Sequence, residues 1–398
     1  MKIRPVSVLG YAALPVGSYM PGSGADGAVF EHERLLDVVH AALTHAGVDP
    51  VDVGALIFTG TAPPTLQKGF PPFFAARAGM KPNAQLLEVS TMGTTGGSAF
   101  DLAINEVAMG HTDIALALGV HFETQATTRE AAAHGSRAVG DVDFQSVYGI
   151  TPIAWYALDA ARYLHEYSDV SRHHLADIAV KSRDVARLNP LAQLREPLTR
   201  DQVLGAPMIV EPLGVHDVPP RSDGVICLVV GRSELMDKTD RIDIVGRGFA
   251  HDGHHQMGRH PHSMTEIPAA KQAVDDALRG TPLTPEELDV LELYAPCTIT
   301  EAMVSEALGL FDLGTGALEA AEGTTSLDGR VPINTSGGCL SRGHPSNVTG
   351  LYSILEVVEQ LGQASGGRQL ENASTGLALC ELGNYNAALA HVFKRGDA

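Results

Sequence analysis

Two stretches of the chain carry one pattern of apolar and polar positions. VHAALTHAGVDPVDVGALIF (residues 39–58) and VDDALRGTPLTPEELDVLEL (residues 274–293) align without a gap at a constant offset of 235 residues. Val39 meets Val274, Ala42 and Leu43 meet Ala277 and Leu278, and Pro50 meets Pro285. Val48, Val53 and Leu56 meet Leu283, Leu288 and Leu291. Each copy reads as an amphipathic helix, a short acidic turn and a buried strand. A register held over the whole stretch predicts an internal duplication.

The repeat runs on. LLEVSTMGTTGG (residues 86–97) is a strand that breaks into a Gly/Thr turn, and VPINTSGG (residues 331–338) repeats that event. Helical patterns follow over residues 98–110 and 348–362, then buried strands over 113–120, 375–383 and 387–393. Strands alternating with helices predict two α/β halves with mixed or parallel sheets. Residues 121–220 fit neither half, and their helical segments (153–167 and 171–188) read as an insertion. The predicted organisation is a first half over 1–120, an inserted helical region over 121–220, a return to the first half over 221–240, and a second half over 241–398. A pseudo-twofold axis would then turn Ser90–Gly97 and Thr335–His344 towards one site, with helix N-termini pointing N–H groups inward.

Composition narrows the classes. A net charge of −19 excludes a general phosphate-backbone binder, so no nucleic-acid partner is expected. No apolar run approaches the ~18 residues that span a bilayer, and the proline-interrupted N-terminus reads as a strand and loop rather than a signal peptide. The four cysteines (Cys227, Cys297, Cys339, Cys380) form no CxxC pair, which argues against a zinc ribbon or disulfide scaffold and for a cytoplasmic protein with reduced thiols. Five histidines fall between His251 and His262, but their spacing matches no metal motif, so a loop is expected there and no metal.

NTSGGCLSRGHPSNVTG (residues 334–350) is similar to the glycine-rich Gly-His-Pro loop of the thiolase superfamily. ARLNP (186–190), RSDGVICLVV (221–230) and GHTDIALALGV (110–120) resemble further segments of that family, within it the sterol-carrier-protein-x-type thiolases. The resemblance implies a thiolase fold: a duplicated, five-layered αβαβα subunit with mixed sheets and an inserted loop domain. It also implies a homodimer and a coenzyme A thioester as substrate, with no bound cofactor.

The family's nucleophilic cysteine stands 17 residues before the glycine that precedes the next strand, and counting back from Gly110 reaches Gly93. Glycine has no side chain with which to form an acyl-enzyme. The resemblance makes His344 the Gly-His-Pro histidine, puts Tyr294 of YAPC in the oxyanion-binding position, and aligns Glu381 of CELGNYN with the usual base. Gly93, Gly337, Gly338 and Gly343 are the ligand-side glycines, where a missing Cβ admits close approach. A lost cysteine beside a tyrosine looks like the thiolase-fold aldolases of steroid side-chain degradation, which cleave β-hydroxyacyl-CoA without an acyl-enzyme and work with a small OB-fold, zinc-ribbon partner. The alternatives are a thiolase or Claisen-type acyltransferase using a displaced cysteine such as Cys339, and a non-catalytic acyl-CoA-binding subunit.

Overall fold

The computed structural model describes residues 3–19, 31–59, 70–124, 126–140, 142–143, 145–252 and 264–396. The first half comprises β1 (Val6–Ala13), α1 (Glu31–Ala46), β2 (Ala55–Thr59), α2 (Phe70–Arg77), β3 (Gln85–Val89), α3 (Thr95–Ala108) and β4 (Ile114–His121). Helices α4 (Thr128–Val139), α5 (Pro152–Glu166), α6 (Arg172–Ala186) and α7 (Arg200–Gly205) follow, with short strands β5 (Met208–Val210) and β6 (Leu213–Gly214). Then come β7 (Gly224–Arg232), β8 (Ile242–His251), α8 (Pro268–Leu278), β9 (Val290–Leu293), α9 (Thr298–Ala307) and α10 (Gly316–Ala321). Helix α11 (Thr349–Leu361) and strands β10 (Thr375–Leu382) and β11 (Ala387–Arg395) complete the chain.

Strand order shows the duplication directly. The first half runs β3-β2-β4-β7-β1 and the second continues β8-β11-β10-β9, so the second order mirrors the first. β2 is parallel to β3 and β4, β9 is parallel to β10, and the remaining ladders are antiparallel. Leu56 lies opposite Leu86, and Leu291, its partner in the repeat, lies opposite Ile333. The expected separate sheets touch edge to edge: β1 and β8 share Ser7↔Asp243 and Val8↔Ile242, joining all nine strands into one mixed sheet.

Alternation along each strand builds the layers. Leu56, Phe58, Leu116 and Leu118 pack outward on Leu35, Leu43 and Phe74 of α1 and α2. Ala55, Ile57, Ala115 and Ala117 face Phe100 and Ile354 on the central helices α3 and α11, which Val290, Ala378 and Phe393 close from the other side. Leu291, Leu293, Leu377 and Leu379 face α8 and α9. Helix, sheet, helix, sheet, helix is the expected five-layered arrangement.

The inserted helices reach across to the second half. Tyr163 of α5 bonds Glu306 of α9, and Lys181 of α6 pairs with Glu301 while donating to Thr325 Oγ1 at 3.0 Å. No described helix is long and apolar enough to cross a membrane.

The two central helices meet through missing side chains. A Cβ at Gly350 would lie 2.4 Å from Cys380 Sγ, and one at Gly97 2.8 Å from the same sulfur. Overpacking of this kind typically costs about 1–3 kcal/mol. Gly350→Ala is therefore expected to lower the unfolding free energy by about that amount in denaturant titrations. The Gly350→Ala/Cys380→Ala pair should lose less than the sum of its single changes, because removing the sulfur clears the space; strict additivity would contradict this packing.

Candidate active site

Strand ends and one glycine-rich loop converge on Tyr294. The residue directly follows β9, its N–H donates to Leu379 O on β10 at 3.2 Å, and its ring is 1 % exposed. Its phenol lies 2.8 Å from His344 Nε2 and donates to Ser346 O at 3.1 Å. With the phenol proton on that carbonyl, His344 Nε2–H donates to the phenol oxygen. The rings meet edge to face, centroids 5.3 Å apart. Burial pushes the Tyr294 phenol well above its ordinary range, so it stays protonated.

His344 is held by a loop wound on buried charge. Its backbone N–H donates to Ser222 Oγ at 2.9 Å. Upstream, Glu292 accepts from Ser336 N at 2.9 Å, from Ser336 Oγ at 2.8 Å and from Arg342 Nη1 at 3.3 Å. Asn334, at a left-handed φ of 58°, accepts from Leu293 N at 2.9 Å and donates to Glu301 at 2.8 Å. Removing one member of such a buried set strands its partner's charge. Burial, partly offset by the Glu123 carboxylate, lowers His344 to about 4, so the imidazole is neutral near pH 7.

The loop glycines meet the chain itself. Gly337, Gly338 and Gly343 adopt φ of 91°, 54° and 114°. A Cβ would lie 2.7 Å from Ala186 Cβ at Gly337, 3.2 Å from Asn334 at Gly338 and 2.4 Å from Val16 Cγ1 at Gly343. Backbone winding and tight packing require glycine at these three positions.

Gly93 stands at the turn into α3, after Met92 at a φ of 51°. A Cβ there would lie 2.2 Å from the Glu381 carbonyl oxygen and 3.4 Å from Tyr294 Oη. The first distance is far inside van der Waals contact, and the obstacle is backbone. The position faces Tyr294 but admits no side chain of any kind without moving the end of β10. The neighbouring hydroxyls are engaged: Thr94 Oγ1 donates to Thr91 O at 2.9 Å, and Thr95 Oγ1 accepts from Thr91 N at 2.8 Å.

Glu381, 4 % exposed, accepts from Tyr156 Oη at 2.9 Å and from Tyr385 N at 3.0 Å, and burial pushes its carboxyl up to about 7. The turn that follows is strained: Gly383, Asn384 and Tyr385 all sit in the left-handed region, at φ of 56°, 59° and 62°. Tyr385 Oη donates to Tyr294 O at 2.7 Å, and Asn384 Nδ2 donates to Asp159 at 2.6 Å. All four cysteines are buried and free, and burial pushes Cys339 and Cys380 up to about 12. They are thiols, not the thiolates that attack thioesters.

Sequence reasoning passed over His121, Glu123, Tyr156 and Tyr385, which surround this pair; the one available signal was His121 at the end of a repeated strand. Of the histidine cluster, His251 ends β8, and His254, His255, His260 and His262 lie outside the described residues. Among the described residues, no three potential metal ligands come together.

Residues 10–201 match the thiolase N-terminal domain family, and residues 250–395 match the thiolase C-terminal domain-like family. An acetyl-CoA acetyltransferase of Methanothermobacter thermautotrophicus is 28 % identical over 396 residues, 99 % of this chain and 100 % of that protein. Sterol carrier protein 2 of Homo sapiens is 26 % identical over 324 residues, 78 % of this chain and 58 % of that protein. A solved structure of the Ltp2-ChsH2(DUF35) aldolase superposes with a TM-score of 0.81 at 24 % identity, covering 98 % of each chain, and shares the fold. With both domain families matched in order along a duplicated five-layered subunit, the chain is a thiolase-like enzyme and belongs to the thiolase superfamily.

Proposed function

We propose that this protein cleaves or forms a carbon–carbon bond in a β-hydroxyacyl-CoA by a retro-aldol route, without a covalent acyl-enzyme. The observation that carries this reading is Gly93, where the Glu381 carbonyl fills the space a nucleophilic side chain would need. With covalent attack removed, the barrier falls through proton transfer and stabilisation of the thioester enolate. The neutral His344 and the protonated Tyr294, linked to each other, form one proton-bearing pair whose phenol, turned from Ser346 O to a bound thioester, suits the enolate oxygen and protonation of Cα. Glu381, titrating near neutrality behind Tyr294, holds the strained turn whose tyrosine bonds the Tyr294 backbone.

Acyl transfer is the second reading, favoured by the acetyltransferase relative. The buried thiols of Cys339 and Cys380 weigh against it. The two readings differ in their use of free coenzyme A. Incubation with β-hydroxyacyl-CoA and β-ketoacyl-CoA panels, followed by mass spectrometry, separates them. A lyase yields acyl-CoA plus a ketone or aldehyde with free coenzyme A unchanged, whereas a thiolase consumes it.

The proposed assembly is a homodimer that works with a small OB-fold, zinc-ribbon partner. Two observations support it: β3 stands at the edge of the sheet, and the similar solved aldolase is named as a pair of components. A monomer by light scattering, or full turnover by the chain alone, would contradict this assembly.

Tyr294→Phe removes one hydroxyl and is expected to lower turnover by ~10²–10³ with folding intact. His344→Ala should act similarly, and the double variant should lose less than the product of the two, since the groups act as one unit. Near-normal turnover in Tyr294→Phe would show the phenol to be core packing.

A further inference from the structure

Retro-aldol cleavage needs a group that takes the β-hydroxyl proton, and this inference rests on that reading. The groups around Tyr294 hold protons or are paired, and none is free to accept one. The protonated phenol donates to Ser346 O, His344 Nε2–H is directed to the phenol oxygen, and both Glu381 oxygens accept from Tyr156 and Tyr385.

A second histidine lies on the other side of Ser346. His121 ends β4, with Nε2 3.4 Å from Glu123 Oε2 and 3.5 Å from Ser346 Oγ. The residue is 9 % exposed, and its Nδ1 has no hydrogen-bond partner among the described residues. A buried ring nitrogen left unpaired is costly and marks a place where another polar group belongs. Ser346 links the two, since its carbonyl accepts from Tyr294 while its hydroxyl meets His121 Nε2.

The carboxylate beside His121 is itself held in place. Glu123 N–H donates to Asp223 Oδ1 at 2.7 Å, and Arg221 Nε stands 3.5 Å from Glu123 Oε1. Asp223, fully buried, also accepts from Thr124 N and from Tyr19 N, both at 2.8 Å. Burial opposes the charge on Glu123, but His121, His344 and Arg221 hold its carboxyl below the usual range. A carboxylate on one ring nitrogen keeps the proton there and leaves the other nitrogen as the base.

We propose that His121, oriented by Glu123, is a catalytic residue: the general base that receives the β-hydroxyl proton of the substrate on Nδ1. In that step the O–H bond breaks, the Cα–Cβ bond breaks, and its electron pair passes into the thioester enolate. The former hydroxyl oxygen leaves as the carbonyl of a ketone or aldehyde. Cα takes its proton from the Tyr294–His344 pair, the His121 imidazolium releases its own to water, and the pair recovers one from water. No net proton is gained or lost.

The assignment separates two half-functions that one variant can uncouple. The chain is isolated from its own host, so that any partner stays with it. Cleavage is followed with β-hydroxybutyryl-CoA and bulkier β-hydroxyacyl-CoA thioesters, and Cα deuterium exchange in D2O with acetyl-CoA and butyryl-CoA. His121→Gln should lower cleavage by ~10²–10⁴ while Cα exchange continues, because in exchange the Tyr294–His344 pair first gives a proton to solvent, then takes the Cα proton and returns a deuteron. Glu123→Gln should lower cleavage less. Unchanged cleavage in His121→Gln, or loss of cleavage and exchange together, overturns the assignment. A wild-type chain that neither cleaves nor exchanges any probe overturns the lyase reading, and the base with it.

Discussion

A single backbone contact organises the site: the carbonyl of Glu381 pressed onto Gly93 where α3 begins. It locks the N-terminus of the central first-half helix against the end of β10 in the second half. Only glycine tolerates it, since a Cβ at position 93 would lie 2.2 Å from that carbonyl oxygen. The same crowding continues along the interface, where Gly97 and Gly350 close on Cys380. Any side chain at position 93, a cysteine included, would require the end of β10 to move.

In the proposed retro-aldol reading, positioned donors around that contact replace covalent chemistry. The Tyr294–His344 pair is braced from below by Tyr385, from the side by Ser346 and Ser222, and at longer range by the buried Glu292–Arg342 and Lys181–Glu301 pairs. The left-handed run Gly383–Tyr385 is the strained element, kept by the bonds of Asn384 and Tyr385. Strain of this kind persists only where surrounding contacts over-determine it. Donors fixed before the reaction cost no reorganisation as charge develops on the thioester.

Much of the frame was legible in the chain. The offset that pairs Leu56 with Leu291 marks two strands that occupy mirrored places in the sheet, and the buried alternation at Ala55–Phe58 predicts a strand covered on both faces. Tyr294 and His344 were identified as site residues through resemblance, and the fold brings them to 2.8 Å. The glycines at 337, 338 and 343 read as openings for a ligand, and their left-handed φ and close neighbours add a requirement of the loop's own winding. The Glu381 carbonyl at Gly93, the left-handed Tyr385 and the His121–Glu123 pair had no periodic signal. Each depends on where a strand end stops in three dimensions, and that is set by packing between distant segments.

The central claim is that no acyl group is ever carried on the protein. Intact-protein mass spectrometry during turnover of β-hydroxyacyl-CoA and β-ketoacyl-CoA substrates tests it directly. The account predicts a chain of unmodified mass at every time point. A stable acyl adduct mapped to Thr94, Thr95, Cys339 or Cys380 would contradict it.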